Sequence, residues 1–230
     1  MNNLPPKKTF YRLLTAISVL LILHVSSYLY VVLNNVDPES FLFRKLNFNE
    51  ERNLPAVFST LLHLSASYLL AVIALSKLTI KKVKWFWGTM SLIFLFLGLD
   101  EMFTFHERFS NDMYDLKGNA VFFYDWVFLY IAILLILMIA FFRPLFSLPK
   151  KTLIIFISAG IIFVLGAVVL ETIAANIVLK ENLTNEETSI HPLIMGLATV
   201  EELLEMLGVA LFIYGLLDFI KKYRITKITE

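Results

Sequence analysis

Six long apolar blocks alternate with short polar segments along the chain. They cover about residues 10–33, 54–75, 83–105, 120–142, 152–178 and 192–220. Apolar residues run almost continuously through each block, without the one-sided stripe of a surface helix in a soluble protein. A helix needs roughly 20 such residues to cross about 30 Å of hydrocarbon. The pattern therefore predicts an all-α, polytopic membrane helix bundle, a single domain over residues 1–230 with six transmembrane helices.

Composition supports this class and excludes others. The 230 residues are 58% hydrophobic, and the mean hydropathy is +0.75, whereas soluble domains are about half apolar. The short alternating segments of a membrane β-barrel are absent from the sequence. A net charge of +1 gives no basic footprint for nucleic acid. With no cysteine, the chain has no disulfide, thiolate metal site or cysteine nucleophile.

The charges of the polar segments predict the orientation. The N-terminal segment is basic, as are "SKLTIKKVK", "RPLFSLPKK" and the C-terminal "KKYRITK". The segments after the first, third and fifth blocks are mixed or acidic. Lysine and arginine favour the cytoplasmic side of a membrane. The alternation predicts a multi-pass protein of the plasma (inner) membrane with both termini cytoplasmic. The first block is too long for a signal peptide and lacks a small-x-small cleavage site, so it is predicted to be a retained span.

Every predicted span carries an ionisable residue in its outer half. Asp100 lies 16 residues beyond Lys84, and Glu205 lies 16 residues before Lys221, which is about 24 Å along a helix in each case. The same arithmetic places His24, His63, Glu101, Asp125, Glu171, Glu201 and Glu202 in one layer about 12 Å deep. Acids inside a membrane usually face the bundle interior and mark function.

Two spans have compact acidic faces within this layer. Asp100 and Glu101 are adjacent. Glu205 lies four residues after Glu201 and three after Glu202, so these three glutamates share one side of a helix. Like charges this close must be compensated by protons or by a cation. On an uninterrupted helix, His106 falls opposite Glu101, so "DEMFTFHE" differs from the HExxH zinc motif.

The sequence therefore predicts an outward-facing metal site in the outer leaflet. Carboxylates with one or two imidazoles suit a divalent ion such as Fe, Mn, Zn or Ca, and helix bundles build such sites from inward-facing Glu and His side chains. The predicted ligands are Asp100, Glu101, Glu171, Glu201, Glu202, Glu205, His24 and His63. At this depth a lipid or another amphiphile is the natural substrate. Glu101 and Glu202 are the predicted catalytic bases, for either a hydrolase or an oxidoreductase.

Two other functions fit the same residues. A proton- or cation-coupled transporter would use the acidic layer as its ion site, although the apolar inner halves of the spans offer no continuing path. A structural or assembly protein would use the acids for packing, with His24 and His63 as interhelical hydrogen bonders. The segment "VDPESFLFRKLNFNEERNLP" is too charged to cross the membrane, and it fits either a loop or a short amphipathic surface helix.

Overall fold

The computed structural model describes residues 5–105, 125–181, 183, 185–223 and 225, and these form helices and no strand. This confirms the all-α prediction for the described residues. A π-helix covers Leu165–Leu170. The α-helices are α1 (Pro6–Asn34), α2 (Phe41–Leu46), α3 (Leu54–Leu75), α4 (Lys81–Phe103), α5 (Asp125–Phe146), α6 (Lys150–Val164), α7 (Glu171–Glu181), α8 (Asn185–Ile190) and α9 (Pro192–Tyr223).

Among the described residues, five helical stretches are long and apolar enough to cross a membrane, which indicates membrane insertion. They are Pro6–Asn34, Leu54–Leu75, Lys81–Phe103, Lys150–Val178 and Pro192–Tyr223. The fourth stretch, Lys150–Val178, is one continuous helix that runs through α6, the π-helix and most of α7. The predicted fourth span, 120–142, begins outside the described residues. The described part of this block lies in α5, and the apolar stretch found there is Leu135–Phe146, so a sixth span stays a prediction.

Helix α9 is the centre of the bundle. It packs against α1, α3, α6 and the π-helix. Its buried side chains include Met206, Val209 and Leu216, which belong to the main hydrophobic core. In lipid, helix association depends on close packing more than on burial from water. The points where helix backbones approach each other are therefore the contacts that hold this bundle together.

Glycines bring α6 and α9 into direct contact. A Cβ atom added at Gly208 would lie 3.0 Å from the carbonyl oxygen of Ala159 and 3.0 Å from the Cβ of Phe163. One added at Gly215 would lie 2.8 Å from a methyl carbon of Ile155. Small residues at such crossings let membrane helices approach closely. This packing fixes α9 against the continuous helix that begins with α6.

Helices α3 and α4 form a hairpin joined by reciprocal hydrogen bonds. The Ser67 hydroxyl donates to the Ser91 carbonyl at 2.8 Å, and the Ser91 hydroxyl donates to the Ser67 carbonyl at 2.8 Å. Interhelical bonds of this kind contribute roughly 0.6 kcal/mol each in a membrane. Nearer the end of α4, a Cβ added at Gly98 would lie 3.0 Å from the His63 Cβ. The hairpin thus holds the last turn of α4 beside α3.

Aromatic side chains fill the bundle between the acidic residues and the end that carries the basic segments. The rings of Phe94 and Phe212 stack with centroids 4.7 Å apart. Phe156 packs on Phe212 at 4.5 Å, and Trp87 packs on Phe156 at 6.3 Å. At the basic end, Asp218 pairs with Lys151 at 2.8 Å, outside this aromatic region. The interior here is apolar and closely packed.

The segment between α1 and α3 is ordered by contacts with the bundle. It contains α2, and Phe43 of that helix is buried. Phe48 stacks on the ring of His24 with centroids 4.6 Å apart. The Asn53 side chain accepts a hydrogen bond from the Ala56 N–H at 3.0 Å, which caps the start of α3. The segment thus contains a short helix, Phe41–Leu46, while its remaining residues up to α3 are irregular.

Candidate functional site

Two glutamates of α9 lie at the centre of the acidic residues. The charges that act on Glu202 come from Glu101, Glu205, Glu201 and Glu51. Those that act on Glu205 come from Glu101, Glu201, Glu171 and Glu51. These six residues, hereafter the acidic group, come from α4, α7, α9 and the segment before α3. Helix packing therefore brings together carboxylates that are up to 154 positions apart in sequence.

Every member of the acidic group is partly buried, neither sealed in the core nor fully exposed. Glu202 and Glu205 are surrounded by protein atoms but keep some accessible surface. Repulsion between like charges is stronger in such surroundings than in bulk water. The arrangement is therefore suited to holding compensating positive charge, as either protons or a cation.

The π-helix places α7 against α9 at this level. A Cβ atom added at Gly166 would lie 2.7 Å from the Glu201 carbonyl oxygen and 3.1 Å from the Glu205 Cγ. Glu171 follows directly after the π-helix, at the first position of α7. An extra residue in a turn changes the direction in which later side chains point, and π-helical turns are frequent at functional sites. This feature aligns Glu171 with the glutamates of α9.

Helix α4 ends two residues after its two acids. Thr104 has a left-handed backbone with φ 55°, and its N–H donates to the Asp100 carbonyl at 2.6 Å. The helix stops at Phe103, close to the predicted end at residue 105. Asp100 and Glu101 thus occupy the last turn of α4. The continuous-helix geometry predicted for His106 does not apply because the helix ends before it, and His106 lies outside the described residues.

His24 is held by hydrogen bonds at both ring nitrogens. Its Nδ1 accepts from the Phe48 N–H at 3.2 Å. Nε2–H therefore donates to the Thr199 hydroxyl at 2.8 Å, and that hydroxyl donates to the Met195 carbonyl at 2.6 Å. This chain joins α1, the segment before α3 and α9. As a metal ligand, His24 would have to give up one of these bonds.

Replacing Thr199 by valine is expected to destabilise the protein without changing cation binding. The substitution keeps the shape of the side chain but removes the acceptor for the His24 N–H, which then stays buried and unpaired. The expected cost is about 1–2 kcal/mol, measured as a lower apparent unfolding temperature in detergent. Thr15→Val is the matched control because Thr15 is exposed and its hydroxyl donates to the Tyr11 carbonyl of the same helix. Equal effects of both changes would contradict this role for Thr199.

His63 has a different environment. Its Nδ1 lies 3.0 Å from the Ser59 carbonyl oxygen, so this nitrogen carries the hydrogen and donates it. Its Nε2 is buried and has no hydrogen-bond partner among the described residues. Asp100, which is also buried, interacts with His63 electrostatically. The structure thus places these two predicted ligands together, on α3 and α4.

The predicted site residues fall into three places. Glu101, Glu171, Glu201, Glu202 and Glu205 interact with one another, directly or through a shared neighbour. Asp100 adjoins His63, and His24 lies in its own hydrogen-bond chain. In the part of the chain that the structure describes, no three His, Asp or Glu side chains are arranged to hold a metal ion. The metal, the substrate and the catalytic roles of Glu101 and Glu202 therefore stay predictions.

Glu51 is a member of the acidic group that the sequence did not identify. It lies in the segment between α2 and α3, outside every apolar block. The sequence argument assigned a depth only to residues within a predicted span, so Glu51 was not placed beside the other acids. The available signal was the acidic run "NEER" directly before the start of α3.

Comparison with known proteins places the chain in a family without a described activity. No curated protein matches it, and no solved structure matches it. Residues 13–219 match the model of one protein family, which is most of the chain. The chain belongs to that family, described as Domain of unknown function (DUF8692).

Proposed function

We propose that this is a six-span protein of the plasma (inner) membrane, with both termini cytoplasmic, that binds a divalent metal ion at the acidic group. The metal-bound form acts on a lipid or another amphiphile within the outer leaflet. One observation carries the proposal: Glu202 and Glu205 each experience the charge of four other carboxylates. A divalent ion offsets this repulsion and supplies a reactive centre, whereas protons do only the first.

The ligand chemistry supports the choice of ion. Carboxylate oxygens bind Fe, Mn, Zn and Ca. Since the described side chains are not arranged around a metal, the proposal requires them to rotate inward on binding. Gly166 holds the α9 backbone close to the π-helix, so this movement belongs to the side chains and leaves the helices in place.

The partly buried carboxylates have distinct proposed roles. The metal, when bound, lowers the pKa of a water molecule or polarises a substrate oxygen. Glu202 sits among the other acids and is the proposed general base, with Glu101 of α4 as the alternative base. Glu171 and Glu205 are proposed to hold the ion. Glu51, on the segment outside the spans, limits access from the outer face.

The closely packed interior argues against the alternative function, an ion-coupled transporter. A transport path continues from the ion site to the opposite face. Here the stacked rings of Phe94, Phe212 and Phe156 occupy the region beyond the acidic group. The Lys151–Asp218 ion pair lies beyond them. A site that opens on one side fits an enzyme that receives its substrate from the membrane.

Reconstitution in vesicles of bacterial total polar lipid tests this function. Manganese-loaded wild-type protein is expected to convert a fraction of the lipid, observed by mass spectrometry, without any ion gradient. Glu202→Gln is expected to lower the rate about 100-fold or more, since a general base contributes at least that factor. Asp218→Asn, an acid at the other end of the bundle, is the matched control and should keep the rate.

Two results would contradict the enzymatic proposal. One is an unchanged lipid profile with folded, metal-loaded protein. The other is manganese uptake into the vesicles driven by a pH or cation gradient, which would assign the same residues to transport.

A further inference from the structure

The buried imidazole of His63 has one nitrogen in the form that binds metals. Because Nδ1–H donates to the Ser59 carbonyl at 3.0 Å, the neutral ring leaves a lone pair on Nε2. That nitrogen is buried without a hydrogen-bond partner among the described residues, and the residue is 1% exposed. Histidines that ligate metals usually donate their other ring N–H to a carbonyl or a carboxylate, which fixes the ring. His63 already has this arrangement.

The surroundings of His63 contain further unpaired polar atoms. The hydroxyl oxygens of Ser59 and Thr60 are also buried without a partner in the described part of the chain. The Gly98 backbone approaches the His63 Cβ, and Asp100 of the same helix acts on the ring electrostatically. Buried polar groups are normally satisfied by protein, water or a ligand. Several unpaired atoms in one place point to a bound species.

This location adjoins the acidic group. Asp100 is followed directly by Glu101, which acts on both Glu202 and Glu205. On the other side, the His63 ring meets the Phe163 ring edge-on at 5.8 Å, and Phe163 packs against Gly208, three residues after Glu205. His63 therefore lies on the inner side of the acidic group.

We propose that His63 Nε2 is the nitrogen ligand of the cation site, with Asp100 beside it, and that the site therefore selects a transition metal over magnesium or calcium. This inference rests on the proposed function because it assigns a ligand of the same site. Imidazole binds Fe and Zn in proteins, and it joins carboxylates at the di-iron and di-manganese sites of helix bundles, whereas Mg and Ca take oxygen ligands. His24 does not compete for this role, since both of its nitrogens are hydrogen-bonded.

Pulsed electron paramagnetic resonance of the manganese-loaded, detergent-purified protein tests the assignment. The wild type is expected to show modulation from a directly coordinated nitrogen. His63→Ala is expected to abolish the modulation and to weaken manganese binding at least about tenfold. Its calcium affinity should change less than its manganese affinity. His191→Ala, at the start of α9, is the matched control and should retain the signal.

A second measurement keeps the test valid if His63→Ala fails to fold. Labelling the wild-type protein with ¹⁵N-histidine should change the modulation frequency. A variant that combines His106→Ala with His191→Ala should retain the nitrogen modulation. Manganese bound without any nitrogen modulation would overturn the role of His63 and leave the carboxylate site intact. Failure of the wild type to bind manganese, zinc or calcium would overturn the proposed function together with this inference.

Discussion

Replacing both Glu202 and Glu205 by glutamine is expected to raise the stability of the metal-free protein and to abolish its stabilisation by divalent ions. The amides keep the size of the side chains and remove two negative charges from the acidic group, so repulsion falls. The same change removes Glu205, a proposed ligand, together with the charge of Glu202 beside it. In the wild type, a cation at about a hundred times its dissociation constant stabilises the folded state by about 2.7 kcal/mol. In the variant, this gain should disappear.

Thermal unfolding in detergent, with and without added manganese, measures both effects. Asp218→Asn is the control, because it removes an acid that pairs with Lys151 at the other end of the bundle. The control should keep the full metal-induced shift. A double variant that is less stable without metal, and still stabilised by metal, would contradict the account of the acidic group.

Gly166→Ala is expected to destabilise the fold and to weaken cation binding together. The new Cβ would lie 2.7 Å from the Glu201 carbonyl oxygen, and a backbone atom cannot rotate away as a side-chain tip can. The π-helix and α9 must therefore separate, which changes the positions of Glu171 and Glu205. Overpacking of this kind costs about 1–3 kcal/mol. Unfolding temperature and manganese affinity measure the two consequences.

Gly160→Ala is the matched control for this substitution. Gly160 precedes the π-helix on α6, and a Cβ there has nothing within 4 Å. Alanine is favoured over glycine in a helix by up to about 1 kcal/mol, so stability should be kept or raised. If Gly166→Ala behaved like Gly160→Ala, the close contact between the π-helix and α9 would not hold the site together.

Hydropathy was sufficient to locate the five long apolar helices of the described residues, because the cost of exposing a backbone in lipid is large and local. Leu54–Leu75 coincides with its predicted block, and Pro192–Tyr223 begins at the predicted residue. The depth argument likewise selected Glu101, Glu171, Glu202 and Glu205, which interact in the structure. Acids within apolar blocks must face protein or water, so the sequence alone carries this information.

Three features of the site depend on contacts between distant parts of the chain, so no single segment of the sequence could predict them. Glu51 reaches the acidic group because Phe48 stacks on His24 and orders the segment before α3. The π-helix occurs where Gly166 meets α9, and no local pattern predicted it. His24 and His63 were equivalent in the sequence pattern. Their partners distinguish them: Nε2 of His24 bonds Thr199, whereas Nε2 of His63 has no partner among the described residues.

Metal content is the most direct test of the proposed cation site. Detergent-purified protein is resupplied with Fe, Mn, Zn and Ca, washed, and measured by mass spectrometry beside the folded Glu202→Gln/Glu205→Gln variant. The account predicts a nearly stoichiometric metal in the wild type and its loss in the variant. Wild-type protein that stays empty after resupply, or a variant that binds as much metal as the wild type, would contradict it.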